Sequence, residues 1–425
     1  MPASASAPVI GYLAPELPAL SATFVHEELL GLERRGVAVR PFTVRRPAHP
    51  APGQEALAAR TQVLYDRPAP AMVLAGMAAL PRFGARSIVA LGRLLKDMFA
   101  IGPWRAEAWK LAYQWLAGAR LAALLREAGC THLHVHFAHV PTQIAMYACS
   151  FADLPFTLMA HANDIFERGL LLRQKALRAQ RMLTISQFNV EHLRSVGVPA
   201  DTIAVVRCGV AFEARTDAPE FAPKACYRIG TLCRLVEKKG VDDLLRALAT
   251  LPGPKSSWQL DIAGDGPLRG ALEALTDELG LRERVRFIGP VAHAAVTGWL
   301  RSLDVFVLAC KVDTSGDMDG IPVSLMEAMS QRVPVISTRL SGIPELVVHE
   351  RTGLLALPGD PAGLAAQLQR MLENAGLRRQ LTEAAAQHVV QEFGQAENLD
   401  RLLAQIAPER AEAGSLGVPH IRHSP

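Results

Sequence analysis

Four stretches of the chain hold side chains whose type and spacing suit chemistry. The richest is Asp313–Val347, DTSGDMDGIPVSLMEAMSQRVPVISTRLSGIPELV. An acidic, glycine-containing loop (Gly316, Asp317, Asp319, Gly320) follows the apolar run Val305–Leu308 and opens a helical pattern whose first turn contains Pro322, a favoured place for proline. A helix start offers unpaired N–H groups and partial positive charge, which suit a phosphate. Proline has no N–H, so the donors are Gly320, Ile321, Val323 and Ser324. Glu327 lies about one turn further in, where an anion opposes a phosphate and instead suits sugar hydroxyls. The competing reading is a capped helix with surface acids.

Arg234 and Lys239, in GTLCRLVEKKG, follow the apolar run Tyr227–Leu232. Cations at a strand's C-terminal end sit where open α/β sheets bind ligands. An arginine fork with a lysine point charge suits a diphosphate, each charged hydrogen bond contributing roughly 1.5–3 kcal/mol. Taken alone, the segment also reads as a basic loop before a helix. DIAGDGPLRG, Asp261–Gly270, reads as a strand-to-helix turn in which Gly264 and Gly266 permit close approach of backbone to a ligand. The sequence contains no G-x-x-x-x-G-K-[ST], G-x-S-x-G or H-E-x-x-H, which argues against P-loop, serine-esterase and zincin chemistry. In HLHVHFAH, His132, His134 and His136 share one strand face. They read as a zinc site, as packed histidines, or as one histidine lining a substrate cleft, and no carboxylate evident in the sequence completes a metal site. His161, with Asp164 three residues on, follows another strand end and is better placed to touch substrate.

Short β-branched runs must hold these residues: Val9–Leu13, Leu133–Phe137, Phe156–Ala160, Met182–Ile185, Ala204–Val206, Tyr227–Leu232, Gln259–Ala263, Val285–Ile288, Val305–Leu308 and Pro334–Ser337. They alternate with helix-period stretches such as Asp242–Thr250 and Pro267–Glu278, which argues for parallel sheets covered by helices. EARTDAPEFAPKAC, residues 213–226, has linker composition. It divides the chain into residues 1–212 and 227–407, with 408–425 a loose tail. The 425 residues are 50% apolar and 20% charged, a globular composition rather than a disordered one. A net charge of +4 is too small to argue for nucleic acid. It is unevenly spread, with 22 basic and 14 acidic residues in 1–212 against 23 and 27 in the remainder. Residues 60–126 hold ten Lys/Arg against three acids, with Ile88, Leu91, Leu94, Leu95 and Phe99 at helical spacing and Trp104, Trp109 and Trp115 following. Such a stretch lies on an anionic membrane surface, or is an ordinary helical layer with a solvated basic face. Six cysteines without a C-x-x-C pair, together with no secretory signal and no run near the ~20 residues of a membrane span, predict reduced thiols in a cytoplasmic protein.

Over residues 8–395 these features resemble the retaining glycosyltransferases of family 4, in the branch that includes colanic-acid and other exopolysaccharide transferases. The residues that carry the likeness are RLVEKKG, GDGP at 264–267, FIGPV at 287–291, DGIPVSLMEAM at 319–329, ELPALSATFVHEEL, HFA at 136–138 and HANDIF at 161–166. The family's first acid in the 319–327 pair is usually glutamate, and here it is Asp319. The resemblance implies the GT-B fold: α/β, two Rossmann-like doubly wound domains facing across a cleft, the N-terminal one binding the acceptor and the C-terminal one the nucleotide-sugar, with the last helix packing back on the N-terminal domain. It implies that Arg234 and Lys239 hold the donor diphosphate, Glu327 the ribose hydroxyls and Asp319 the transferred sugar. Gly320, Ile321, Val323 and Ser324 would cradle sugar and distal phosphate, and Gly289 and Val291 would line the base pocket with Gly264 nearby. His161 would face the donor sugar, with Ser21 and Thr23 near the phosphates. The implied activity is retaining, metal-independent transfer to a glycan or lipid-linked acceptor in polysaccharide biosynthesis. A GT-B nucleotide-sugar epimerase, a phosphorylase-like enzyme and a catalytically weak nucleotide-sugar-binding protein are the alternatives.

Overall fold

The computed structural model describes residues 8–19, 22–47, 53–211, 215, 217, 219–252 and 257–407. The expected tail, Ser21 and several residues of the expected linker lie outside the described residues. The chain divides into two compact units: residues 1–185, 190–209 and 398–425 form the first, and 186–189 with 210–397 the second. Residues Asn398–Ile406 of the last helix, Gln395–Ile406, therefore count with the first unit.

The first unit is built on a seven-stranded sheet: β1 (Val9–Glu16), β2 (Ala38–Arg45), β3 (Gln62–Val63), β4 (His132–His136), β5 (Phe156–Ala160), β6 (Arg181–Thr184) and β7 (Ile203–Val205). The order is β3-β2-β1-β4-β5-β6-β7, with every pairing parallel. β4 and β5 are buried along their whole length, as expected of parallel strands covered on both faces. Helices Ala106–Glu127 and Val140–Ala152 cover one face through Leu121, Leu125, Ile144 and Phe151. Thr23–Arg34 and the last helix cover the other through Leu29, Leu32, Leu399 and Leu402.

The second unit has six parallel strands: β8 (Tyr227–Leu232), β9 (Trp258–Ala263), β10 (Val285–Gly289), β11 (Val305–Val307), β12 (Val335–Thr338) and β13 (Leu354–Ala356). Their order is β10-β9-β8-β11-β12-β13. In both sheets the order reverses once, between β1 and β4 and between β8 and β11. The crevice beyond the strand ends at such a reversal is where doubly wound sheets take ligands.

The sequence reading found ten strands and missed β2, β3 and β13. β2, AVRPFTVR, contains a proline and two arginines and does not alternate. Pro41 is tolerated because β3 pairs only with Phe42 and Thr43, leaving an open edge beside it. A second difference concerns Pro322. The helix runs Val323–Ser330 and Pro322 is the residue before it, with extended backbone, rather than part of its first turn.

Glycines just after β9 let the loops leaving β8 and β9 touch. Gly264 has φ +116°, and a β-carbon there would overlap the carbonyl oxygen of Cys233. At Gly36 (φ +74°) nothing lies within 4 Å of such a carbon. Gly264→Ala is expected to lower the urea-unfolding stability by about 3 kcal/mol, from strain plus overlap. Gly36→Ala isolates the strain alone at about 1 kcal/mol. Equal losses in the two variants would show that the contact at Gly264 carries no energy.

Candidate functional site

In the second unit the loops leaving β8, β9 and β11 are stitched by backbone. Cys233 N–H donates to Ala263 O at 3.1 Å and Leu235 N–H to Asp265 O at 2.9 Å, so Arg234 is held between two fixed amides. Gly264 N–H reaches Gly289 O at 2.8 Å. Gly240, with φ +62°, lies against the carbonyl of Ala309, and Lys311 N–H donates to Lys238 O at 2.9 Å. These bonds bring the β8 loop to the acidic loop after β11. Lys239 Nζ donates to Asp319 Oδ2. Lys238 Nζ lies 2.8 Å from Asp317 Oδ2 and 3.5 Å from Asp319 Oδ1. The Cys310 thiol donates to Asp319 Oδ2 at 3.3 Å, and Thr314 Oγ1 donates to Glu237 at 2.9 Å.

Within this cluster Lys238 and Lys239 face Asp317 and Asp319, with Glu237 at its edge bonded to Thr314. Burial alone would push Lys239 down, but the Asp319 carboxylate overturns that and raises it. Burial likewise works against a charged Asp319, and Lys239, helped by Lys238, holds it below the ordinary carboxylate value. Arg234 differs. It is exposed, and its guanidinium has no hydrogen-bond or ion-pair partner among the described residues. The backbone N–H groups of Gly320, Ile321, Val323 and Ser324 donate no hydrogen bond among the described residues either. Glu327 is half-buried one turn into the helix that they open. Val291 is partly buried against the hydrophobic core of the unit. Among the described residues the second unit thus carries a free guanidinium, a row of free amides and a paired lysine and aspartate, groups of the kind that take anions elsewhere.

The first unit carries a second polar cluster at its own strand reversal. Tyr12 on β1 places its hydroxyl 2.9 Å from Val25 O, 2.9 Å from Glu28 Oε1 and 2.7 Å from His136 Nε2. Glu28, on the helix Thr23–Arg34, also lies 2.9 Å from His136 Nε2. His136 Nδ1 lies 3.3 Å from His161 Nε2, and His161 Nδ1 is 3.9 Å from Cys208 Sγ. Phe24, next to Thr23, meets the His161 ring at 5.1 Å between centroids. Asp164 accepts the N–H groups of Ala138 and His161, fixing the ends of β4 and β5 together. Phe137, directly after β4, has φ +71°, a conformation costly for a non-glycine residue and concentrated at functional positions.

Burial sets the protonation here. It holds His134 and His161 below the ordinary imidazole value, pushes His132 down to about 3, with His134 adding to the effect, and pushes His139 down to about 4. Glu28 stays charged. Burial opposes that, but His136 and His134 outweigh it and lower its pKa. Asp164 is pushed up to about 6 by burial, against its backbone donors.

Of the expected site residues, Lys239 meets Asp319, Gly264 meets Gly289, and the helix start carries its four free amides. Thr23 is exposed at the head of the helix whose Phe24 packs on His161; Ser21 lies outside the described residues. Lys238, Cys310, Tyr12 and Glu28 were missed, and Asp317 was named only as part of the acidic loop. The sequence reading found no carboxylate for the histidine strand, yet Glu28 lies beside both His134 and His136. Its signal was an acid flanking the inward stripe Val25, Leu29, Leu32 of its helix. Glu28, His134 and His136 are the one group among the described residues whose ligand-type atoms gather within 4.8 Å. In this structure His136 Nε2 is hydrogen-bonded to Glu28 at 2.9 Å, whereas His134 Nε2, buried and 3.6 Å from Glu28 Oε1, has no hydrogen-bond partner among the described residues.

Two parallel-sheet α/β units with ligand-ready loops at the strand reversals define the fold class of the GT-B glycosyltransferases. The family description "Glycosyltransferase Family 4" matches residues 21–214 and "Glycosyl transferases group 1" matches residues 216–388. The chain belongs to glycosyltransferase family 4. It is 30% identical over 386 residues to the putative colanic acid biosynthesis glycosyltransferase WcaL of Escherichia coli K12, covering 84% of this chain and 89% of that protein. The WcaL of Salmonella typhimurium is 34% identical over 58% of this chain and 62% of its own length. The amylovoran biosynthesis glycosyltransferase AmsK of Erwinia amylovora is 34% identical over 57% and 63%. Among solved structures, Anabaena Alr3699/HepE in complex with UDP superposes with TM-score 0.69 at 16% identity, covering 96% of this chain and all of that one. The lipopolysaccharide outer core galactosyltransferase WaaB, in apo form, gives 0.66 at 17%, covering 94% and 99%.

Two outcomes test these sites. Asp319→Ala leaves the buried Lys239 ammonium unpaired and is expected to cost about 3–5 kcal/mol in chemical unfolding; no loss would mean that the pair is not formed. For the histidines, the unfolded chain takes up protons that His132, His134, His139 and His161 refuse in the fold. Their contribution is therefore complete above pH 6.5 and lost as the pH falls, at roughly 1.4 kcal/mol per pH unit for each. Asp164 acts oppositely, its raised pKa lending stability at low pH that is lost as the pH rises towards 6, but it is one group against four. Hydrogen exchange at pH 5 should therefore expose residues 132–161 before residues 227–309. The reverse order would contradict neutral burial of these rings.

Proposed function

We propose that the protein is a retaining glycosyltransferase that moves a sugar from a nucleotide-sugar to a glycan or lipid-linked acceptor in exopolysaccharide biosynthesis. The observation that carries the reading is the unpaired Arg234 guanidinium, fixed between two backbone bonds in the same unit as the free amides of Gly320, Ile321, Val323 and Ser324. The UDP bound by HepE, and the polysaccharide roles named for WcaL and AmsK, support it. Arg234 and the amides stabilise the charge that grows on the leaving diphosphate, as preorganised donors do. Lys239 has three donors, so it keeps Asp319 while reaching a phosphate oxygen. Glu327 accepts the ribose hydroxyls, and Gly264, Gly289 and Val291 border the base. Asp319 meets the transferred sugar, and His161, neutral, serves as a hydrogen-bond partner for it, with Thr23 near the phosphates. The acceptor hydroxyl attacks the anomeric carbon on the face from which the diphosphate leaves, and the departing oxygen takes its proton. Fixed positive groups supply what a metal ion supplies elsewhere, so no metal is required. The protein works in the cytoplasm at the inner face of the membrane, with residues 60–126 towards the anionic surface. No described helix is long and apolar enough to cross a membrane.

Screening the purified protein with UDP-, GDP- and ADP-sugars for donor hydrolysis and transfer tests the reading. Arg234→Ala should lower kcat/KM by about 10²–10³-fold at unchanged thermal stability, because the side chain is exposed and unpartnered. Turnover near that of the parent protein would remove Arg234 from the site. Turnover should persist in EDTA, and a loss restored by magnesium would refute metal independence. Conversion of the donor sugar without an acceptor would assign an epimerase instead.

A further inference from the structure

His134 and His136 stand two residues apart on β4, so their side chains leave the same face of the sheet. Tyr12 comes from the neighbouring strand β1, where it is the register partner of His134. Glu28 reaches both histidines from the helix Thr23–Arg34. Four ligand-type atoms converge in this way. Glu28 Oε1 lies 2.9 Å from His136 Nε2, 3.6 Å from His134 Nε2 and 2.9 Å from the Tyr12 hydroxyl. That hydroxyl is 2.7 Å from His136 Nε2. Tyr12, His134 and His136 are all buried.

Hydrogen bonds do not satisfy this group. The Tyr12 proton has two acceptors within reach, Val25 O and Glu28 Oε1, both at 2.9 Å, and serves one of them. His134 Nε2 has no partner among the described residues, although it faces a carboxylate. Leaving a buried nitrogen unpaired costs the desolvation of that atom with nothing in return. The far side of each ring is supported: His134 Nδ1 lies 2.8 Å from Thr157 Oγ1, and His136 Nδ1 lies 3.3 Å from His161 Nε2. Rings that are anchored through Nδ1 and present Nε2 to one point beside an acid are oriented as metal ligands are.

We propose that Glu28, His134 and His136 bind a zinc ion, with the Tyr12 hydroxyl as the fourth ligand, and that the ion is structural. Two imidazoles and a carboxylate suit zinc, whereas magnesium and calcium prefer shells of oxygen alone. Zinc bonds of about 2.0–2.1 Å space tetrahedral ligand atoms about 3.3–3.4 Å apart. The separations here run from 2.7 to 3.6 Å, so movements of less than about 1 Å seat the ion. The proton that His136 Nε2 gives Glu28 moves to Nδ1, where His161 Nε2 accepts it. His134 gives its Nδ1–H to Thr157, and Tyr12 keeps its proton, donated to Val25 O. Both rings therefore ligate as neutral imidazoles and no proton is released. Four protein ligands leave no open position, as in structural zinc sites. The ion ties β1, β4 and the helix Thr23–Arg34 together and takes no part in the transfer proposed above. Enclosed by the unit, it leaves only when the unit opens, so brief EDTA treatment clears loosely held magnesium and spares it.

The test is metal analysis of the untagged full chain, produced with zinc in the medium and then desalted. A single zinc ion per chain should stay bound. Glu28→Gln and His134→Gln keep size and polarity but remove a ligand, and each should weaken zinc binding by more than the roughly 10–100-fold typical of an outer-shell partner. His192→Ala, in the same unit but outside the cluster, should retain the ion. For parent protein unfolded in EDTA and refolded without it, zinc at a hundred times its Kd should raise the folded-to-unfolded ratio about a hundredfold, with no such gain in His134→Gln. Circular dichroism reports whether the variants fold. If they do not, cobalt(II) in the parent protein decides: the intense visible absorption of a tetrahedral ion supports the site, and the pale spectrum of a six-coordinate ion overturns it. No zinc in the parent and none taken up on refolding, zinc lost on desalting (an adventitious ion only), or parent-like zinc in either glutamine variant would each overturn the proposal. Donor hydrolysis is measured separately, and its failure would sink the proposed reaction while leaving the metal analysis standing.

Discussion

The contact between Lys239 and Asp319 joins the loop leaving β8 to the loop leaving β11 at the point where the strand order turns back. Neither partner is comfortable alone in that half-buried place, and each keeps the other charged. Around them Lys238 pairs with Asp317 and the Cys310 thiol donates to Asp319. The local charge is therefore spent internally, and the attractive force left for an anionic ligand comes from Arg234 and from amide dipoles. A site arranged in this way stays rigid when empty, because its lysines need no substrate to hold their positions.

The first unit solves a different problem. Three imidazoles, His132, His134 and His161, are buried and a fourth, His139, is partly so, and burial holds all four below the ordinary imidazole value. Glu28 is the exception, retaining its charge because Tyr12, His134 and His136 surround it. The tautomers follow from that anchor. The Glu28 carboxylate accepts the Nε2–H of His136, whose Nδ1 lies 3.3 Å from His161 Nε2, so the orientation of the outermost ring is set from within the sheet.

The parallel two-sheet architecture was legible because β-branched runs bounded by glycine and charge alternate with helical periods. Phe156–Ala160 and Tyr227–Leu232 coincide with β5 and β8 to the residue. β2 was illegible because proline and arginine hide a strand that only its short neighbour β3 makes permissible. The loops and the helix start that hold Arg234, Gly264 and Glu327 could be read from local composition. Their partners could not: Lys239 and Asp319 lie 80 positions apart, and Glu28 reaches His136 across 108. Such pairings arise only when strand order brings distant loops to one edge, and a single sequence carries no local trace of them. Pro322 shows the remaining limit, since its fixed backbone suits the residue before a helix as well as the first turn within it.

The helix Ala85–Ile101 turns Ala90 and Leu94 inward and leaves Ile88, Leu91, Leu95 and Phe99 exposed, so copies of the protein in dilute solution meet through hydrocarbon. Copies approaching through Ile88 and Phe99 gain from hiding hydrocarbon but are held apart by the arginines and lysines that flank it. That repulsion reaches about 10 Å at 0.1 M salt and only about 3 Å at 1 M, while salt leaves the hydrocarbon attraction intact or strengthens it. Colloidal stability is thus tied to ionic strength in the sense opposite to salting-in, with the flanking cations as the barrier to precipitation.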